Sequence, residues 1–367
     1  MSPEPASTAW QQAVEVSGNV NVVEGPLQGY HHETYVFPLP SGAEAAEQVR
    51  WKCREPRSNL LWFDRRCFAS EEQLLQALQG HITDIPDIIQ AGNVGLQRFI
   101  EGETLGSLHG SGCLIPPSVF GQIVSLFKQL AAVRPEVLTV ERRCALRDRA
   151  TEGDTSGFLE RLVCFTEERV YQDNLGAFES LFGELGLDGD SFKRLKKRVS
   201  GLAERPFCLL HADLHRENFV VDPQGRLWTI DWELAMFGDP LYDLATHLYL
   251  MRYPERQERL MAEQWCAAVE EVTPGSSARW EEDLPKLLDY KRAQSVFTDI
   301  IRMSLSLGAG SENEESLLTR AGSKIQKVLA AASEPLELKT VPTMGQVVAA
   351  LDRWRRGHSE FAAAQEL

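Results

Sequence analysis

One stretch constrains this chain more than any other. It reads Cys208-Leu-Leu-His211-Ala-Asp213-Leu-His215-Arg216-Glu-Asn218-Phe-Val-Val-Asp222, then Pro223-Gln-Gly225-Arg-Leu-Trp228-Thr-Ile230-Asp231-Trp232-Glu233. Two apolar, β-prone runs, Phe219–Val221 and Leu227–Ile230, flank Asp222-Pro223-Gln224-Gly225. That tetrapeptide has turn chemistry, so the spacing predicts an antiparallel hairpin. A hairpin brings its open ends together. Asp213 and Asn218 sit before its first strand and Asp231 after its second, so the pairing makes distant residues neighbours. Two carboxylates and an amide oxygen converging on one mouth suit a hard cation such as Mg²⁺. Three solvated polar groups on a surface hairpin are the alternative, and the two halves of the pattern together weigh against it.

Strand signals dominate the first hundred residues. Val20–Val23 and Thr34–Phe37 read as short strands with turn-rich chain between them, from Gly25 to Gly29, and a further turn follows at Pro40-Ser41-Gly42. Val49 to Arg54 alternates at period two, with Val49, Trp51 and Cys53 on one face and Arg50, Lys52 and Arg54 on the other. Ser70-Glu71-Glu72-Gln73 fits a capping box. In the helix that follows, Glu71 projects along the same stripe as Leu74, Leu75 and Leu78. A carboxylate on a core-facing stripe needs a partner. Strands are expected near Ile88-Ile89 and Val94–Ile100, and Gly102 breaks the pattern. Beyond it, helical spacing recurs from Pro116-Pro117, from Leu241 and from Tyr290.

Composition narrows the partners. Apolar residues are 43% and charged residues 25% of the 367, which excludes a disordered chain. Asp and Glu outnumber Lys and Arg by 53 to 38, which disfavours nucleic acid and anionic membranes and mildly favours cationic ligands. No apolar run nears the ~18 residues of a membrane helix, and the N-terminus has no secretory signal pattern. The seven cysteines include no C-x-x-C, against a disulfide framework or zinc ribbon. A cytoplasmic protein, monomeric or homodimeric, is expected.

Phosphoryl transfer needs a metal to neutralise phosphates and a carboxylate to take the acceptor's proton. His211-x-Asp213-x-x-x-x-Asn218, with Asp231 following, has the spacing of a kinase catalytic loop. Together with Ile230-Asp231-Trp232-Glu233 and Gly238-Asp239-Pro240-Leu241-Tyr242-Asp243-Leu244-Ala245, it resembles the aminoglycoside phosphotransferase / choline kinase family of small-molecule kinases. The resemblance is dense over residues 208–249 and looser upstream. It implies an α+β, bilobal, protein-kinase-like fold: a nucleotide-binding lobe at 1–96 with a small antiparallel sheet and one helix, a hinge at 97–102, and a larger, mainly helical catalytic and substrate-binding lobe at 103–367.

The resemblance also implies roles. Asp213 is the expected base, and Asn218 and Asp231 are the Mg²⁺ ligands. His211 and Asp243 brace the catalytic loop. Lys52, paired with Glu71, would hold the α- and β-phosphates of ATP, with GTP as an alternative. Gly25 and Gly29 stand where a phosphate-covering loop would lie, and backbone near Gln97 and Phe99 would meet the base. Arg216 departs from the proline common at its place in the family and is expected to be exposed, with transition-state charge neutralisation as the alternative. The acceptor is a small-molecule hydroxyl, first an aminoglycoside-like antibiotic, with a nucleoside or peptide antibiotic, choline or a sugar as alternatives. Glu255, Glu258 and Asp299 are candidate contacts for a cationic acceptor. A catalytically silent kinase-like binding module is the non-enzyme alternative.

Overall fold

The computed structural model describes residues 7–27, 32–39, 49–57, 65–307 and 314–365. Gly29 and the turn at residues 40–42 lie outside them. Packing divides the chain into two compact units, one of Met1–Cys144, Phe207–Phe237 and Leu250–Pro274, the other of Ala145–Pro206, Gly238–Tyr249 and Gly275–Leu367.

The first unit holds a four-stranded sheet of β1 (His32–Pro38), β2 (Arg50–Pro56), β3 (Ile88–Ala91) and β4 (Val94–Arg98), in the order β1-β2-β4-β3. All its pairs are antiparallel, and the register sets Val36 opposite Lys52 and Lys52 opposite Gln97. Cys53 is buried on the apolar face, packed with Tyr35, Phe37 and Leu96. Val49 precedes the strand and is exposed.

A helix not expected from the sequence stands here, and the strand expected at Val20–Val23 is absent from the described residues. Thr8–Ser17 is helical, capped by Ser7 and ended by Gly18 in the left-handed region at φ 68°. Ala9 and Ala13, one turn apart, are fully buried against the sheet. Two alanines make a weak apolar stripe, easily hidden by the β-branched run after it. That run forms a 3₁₀ turn at Val20–Val22, because the Asn19 side chain accepts the Asn21 amide at 3.0 Å and turns the chain.

The helix Glu71–Leu78 follows its sequence. Ser70 caps it by accepting the Gln73 amide, and Leu74, Leu75 and Leu78 are fully buried. Gln73 does not complete the box; Ser70 donates instead to Glu72 at 2.7 Å. Glu103–Thr104 (β5), Cys208–Leu210 (β6), Phe219–Val221 (β7) and Leu227–Thr229 (β8) follow in chain order. β5, β7 and β8 form a three-stranded sheet, with Ile100, Val220 and Trp228 clustered on it. The helix Pro117–Ala132 opens with proline at its first turn and packs its buried Phe120, Ile123, Phe127 and Leu130 toward the helix Glu255–Val272.

The second unit is helical. Its core gathers Tyr171, Phe182, Phe192 and Phe297, with Phe192 and Phe297 stacked at 4.6 Å. Arg205, fully buried, bonds Asp239 at 2.8 Å and Asp283 at 2.9 Å. It therefore secures the start of the helix Pro240–Met251, on which Asp243 is buried.

Candidate active site

The hairpin forms as its sequence dictates. Phe219 pairs with Thr229, Val220 with Trp228 and Val221 with Leu227. Asp222 closes the turn by accepting the Gln224 and Arg226 amides, each at 2.9 Å, and the Trp228 indole at 2.9 Å. Burial alone would raise the Asp222 carboxyl, but these donors hold it below the usual carboxylate range.

Past the strands, the Ile230 amide bonds the Asn218 carbonyl at 3.0 Å, which sets Asp231 beside Asn218. The Asn218 Nδ2 donates to the Asp213 carbonyl at 2.9 Å and to Asp213 Oδ2 at 3.2 Å. The amide nitrogen is therefore spent on Asp213, while Oδ1 of Asn218 can only accept. Two residues here occupy the left-handed region without being glycine: Ala212 at φ 65° and Asp231 at φ 64°. Each costs about 1–3 kcal/mol, a strain held where geometry matters.

His211 is fully buried against the Trp232 ring, 4.7 Å between centroids, and its Nε2 lies 3.1 Å from the Ile230 carbonyl. A carbonyl only accepts, so Nε2 carries the proton. Burial pushes the imidazole down to about 4, so the ring is neutral at pH 7. His215 faces Asp213 Oδ2 at 3.4 Å through Nε2, while its Nδ1 accepts the Glu217 amide at 3.2 Å.

Glu71 points inward as its stripe position requires, but its ionic partner is Arg54, where the sequence reading expected Lys52. Arg54 lies two residues farther along the same strand face. Its planar fork reaches two carboxylates, since Nη1 also lies 3.4 Å from Asp231 Oδ1. The other Glu71 oxygen accepts the Trp232 amide at 2.7 Å. Lys52, half-buried, is pushed down to about 8 by burial and by Arg54, against the pull of Asp231 and Glu72.

Gln97 is buried in the sheet, with its side chain 3.4 Å from Glu72. The Phe99 amide is committed to the Arg50 carbonyl at 2.9 Å. Gly25, at φ 139°, lies so near β1 that a Cβ would stand 2.8 Å from the Thr34 carbonyl oxygen. Glu255 is exposed and paired with Arg259 at 2.9 Å, Glu258 is half-buried on the same helix, and Asp299 in the second unit pairs with Lys324 at 3.2 Å.

Arg216 corrects the sequence reading. It is buried, not exposed, and bonds three backbone carbonyls, so its charge is met by peptide dipoles instead of water. Glu233 ends the Ile230-Asp231-Trp232-Glu233 motif and has no role expected from the sequence. It lines an open cleft with His32, Arg54, Arg66, Phe68 and Glu71. Burial, then Asp231, pushes its carboxyl up to about 7. The available signal was its place two residues after Asp231.

Among the described residues, no three His, Cys, Asp or Glu side chains converge on one point. The donor set at the hairpin mouth is instead an amide oxygen and a carboxylate. That fits Mg²⁺, which keeps several waters and takes one or two protein ligands beside phosphate oxygens. Among the described residues, no helix is long and apolar enough to cross a membrane.

A family model described as the phosphotransferase enzyme family matches residues 53–280. A choline/ethanolamine kinase family protein from Mesorhizobium loti is similar in structure at TM-score 0.53 and 13% identity, over 94% of this chain and 97% of that one. Choline kinase LicA from Streptococcus pneumoniae is similar at TM-score 0.52 and 16% identity, over 89% of this chain and all of that one (100%). These likenesses bear out the protein-kinase-like fold. No curated protein matches the sequence.

Proposed function

For a chain that belongs to the phosphotransferase enzyme family, and is thus a small-molecule phosphotransferase with an alcohol acceptor, we propose that the γ-phosphate of ATP is transferred to a hydroxyl of an aminoglycoside-like antibiotic. The observation that carries the transfer step is the Asp213–Asn218 contact beside Asp231. Asp213 orients the acceptor hydroxyl and takes its proton as the new oxygen–phosphorus bond forms. The bond from the γ-phosphorus to the bridging oxygen breaks, and ADP leaves. Asn218 Oδ1 and the Asp231 carboxylate would hold Mg²⁺, which supplies charge neutralisation for the phosphates.

Lys52 meets the α- and β-phosphates, and Glu71 fixes the amide next to Asp231. Gly25 belongs to the segment covering the phosphates, and Gln97 to Phe99 to the edge facing the base. The lobes of this reading are 1–96 for nucleotide and 103–367 for acceptor, joined at 97–102. His211 and Asp243 keep the loop in shape. For a cationic acceptor, Glu255, Glu258 and Asp299 are the carboxylates proposed to meet it. The protein acts in the cytoplasm.

The antibiotic is favoured because Ile-Asp-Trp-Glu and Gly-Asp-Pro-Leu-Tyr-Asp resemble the resistance branch of the family. A second reading, an amino-alcohol acceptor such as choline, is supported by the names of the two similar structures. Expression in a sensitive host across antibiotic classes, with mass spectrometry for a phosphate adduct, and a parallel assay with choline, tests both. An adduct on an aminoglycoside supports the first, and phosphocholine without any antibiotic adduct replaces it with the second. A protein that yields no ADP with any acceptor and binds nucleotide without metal dependence is the silent binding module instead.

A further inference from the structure

Arg216 sits inside the loop between Asp213 and Asn218, with only 5% of its surface exposed. Its three nitrogens go to three carbonyls: Nε to Met251 at 3.1 Å, Nη1 to His109 at 2.8 Å and Nη2 to Cys113 at 3.0 Å. The guanidinium also lies 5.8 Å from the centre of the buried Tyr253 ring. No carboxylate meets it among the described residues. Burial lowers its pKa from the ordinary arginine value, yet an arginine in a protein stays charged.

The three carbonyls belong to two segments remote in sequence, 109–113 and 251. The guanidinium therefore pins the loop to two walls at once. The loop is also held by a three-residue 3₁₀ turn at Arg216–Asn218, by the Asn218 side chain on Asp213 and by Glu217 accepting from the Thr104 hydroxyl at 2.8 Å, but none of these bonds reaches the 109–113 segment or Met251. Lysine could not replace this tie, because a single ammonium cannot aim donors along three fixed directions of a plane.

We propose that Arg216 is a positioning residue for phosphoryl transfer: by tying the loop to the carbonyls of His109, Cys113 and Met251, it keeps the loop, and Asp213 with it, in place. This rests on the transfer reading given above. It acts through the loop and touches neither substrate nor metal. Loss of the tie lets the base drift from the acceptor hydroxyl, and a displacement near 1 Å costs on the order of 10²-fold in rate.

The test compares wild type with Arg216→Met, Arg216→Lys and Arg216→Ala, measuring kcat, acceptor KM, MgATP affinity and Tm. Rates are normalised to nucleotide-binding sites. Arg216→Met is expected to lower kcat by on the order of 10²-fold while leaving MgATP affinity nearly unchanged. Arg216→Lys is expected to fall between the two. Millimolar guanidinium is expected to restore part of kcat in Arg216→Ala, where methylammonium does not.

A merely structural role would lower Tm and the number of active sites but leave kcat per site at the wild-type value. That result overturns the proposal, as does rescue of Arg216→Ala by both cations alike. If Arg216→Met does not fold, full kcat per site in Arg216→Lys is the overturning result. A wild type that transfers no phosphate from MgATP to any acceptor overturns the function itself, and the proposal with it. An active wild type beside equally active variants overturns only the role of Arg216.

Discussion

Glu71 and Trp232, 161 residues apart, share a hydrogen bond of 2.7 Å from the Trp232 amide to the Glu71 carboxylate. Because the same carboxylate holds Arg54, one side chain joins the sheet, its helix and the residue next to Asp231. The pair is well buried, with side-chain exposures of 14% for Arg54 and 4% for Glu71. Without Glu71, Arg54 keeps only its longer contact to Asp231 and the Trp232 amide loses its acceptor, so Glu71→Leu is expected to cost about 3–5 kcal/mol. Glu71→Gln keeps an acceptor for the amide and should cost clearly less. Urea denaturation of both variants decides it; equal losses would mean the amide bond contributes nothing.

Asp213→Asn preserves the side-chain shape and can still accept from Asn218, but it cannot take a proton. Turnover is expected to fall by about 10²–10⁴-fold, with MgATP affinity within twofold (~0.4 kcal/mol) of wild type. Steady-state kinetics beside a nucleotide titration reads both quantities. A variant turning over near the wild-type rate removes Asp213 from the base role.

Asp231→Asn tests the metal. Asparagine tolerates the left-handed backbone found at this position, so the local fold should persist. The lost charge should weaken nucleotide binding in Mg²⁺ by roughly tenfold or more, about 1.4 kcal/mol, and leave binding in EDTA unchanged. Equal affinity of variant and wild type in Mg²⁺ would count against the ligand assignment.

Lys52, held near 8 by burial and Arg54, should set a pH limit on nucleotide binding. The free protein loses this proton above about pH 8, whereas bound polyphosphate favours the charged form. Affinity should therefore fall as pH rises past 8, by up to about tenfold per unit, with proton uptake on binding. Calorimetry at alkaline pH in two buffers of different ionisation enthalpy detects the uptake, and Lys52→Met should abolish it.

His211 gives a stability signature of definite sign. Its folded value near 4 lies below the ordinary 6.5, so the unfolded chain binds the proton more readily. Stability is therefore expected to fall as pH drops from about 6.5 toward 4, by up to ~3 kcal/mol from this residue, and to level off below. Comparing denaturation midpoints of wild type and His211→Gln over that range checks it; identical slopes would refute the assignment.

What was legible in the sequence was local. The hairpin announced itself because its strands and turn are contiguous, and the stripe Glu71, Leu74, Leu75, Leu78 predicted an inward carboxylate that is there. Which cation meets that carboxylate was not legible. Arg50, Lys52 and Arg54 share one face, and choosing among them needs the placement of the helix against the strand. Arg216 was misjudged for a related reason: its partners are carbonyls, present at every residue, and no side-chain pattern marks which of them will surround a guanidinium. The helix at Thr8–Ser17 was lost because alanine carries so little apolar signal.

Gly102, at φ 149°, lies so close to β7 that a Cβ there would stand 2.2 Å from the Val221 carbonyl oxygen. Every other amino acid at this position must push the strand back, and Asn218 is joined directly to the head of that strand. A missense change in the connector would thus be felt at Asn218, three residues upstream of the collision, and a geneticist would map an inactive allele to a residue that contacts no substrate.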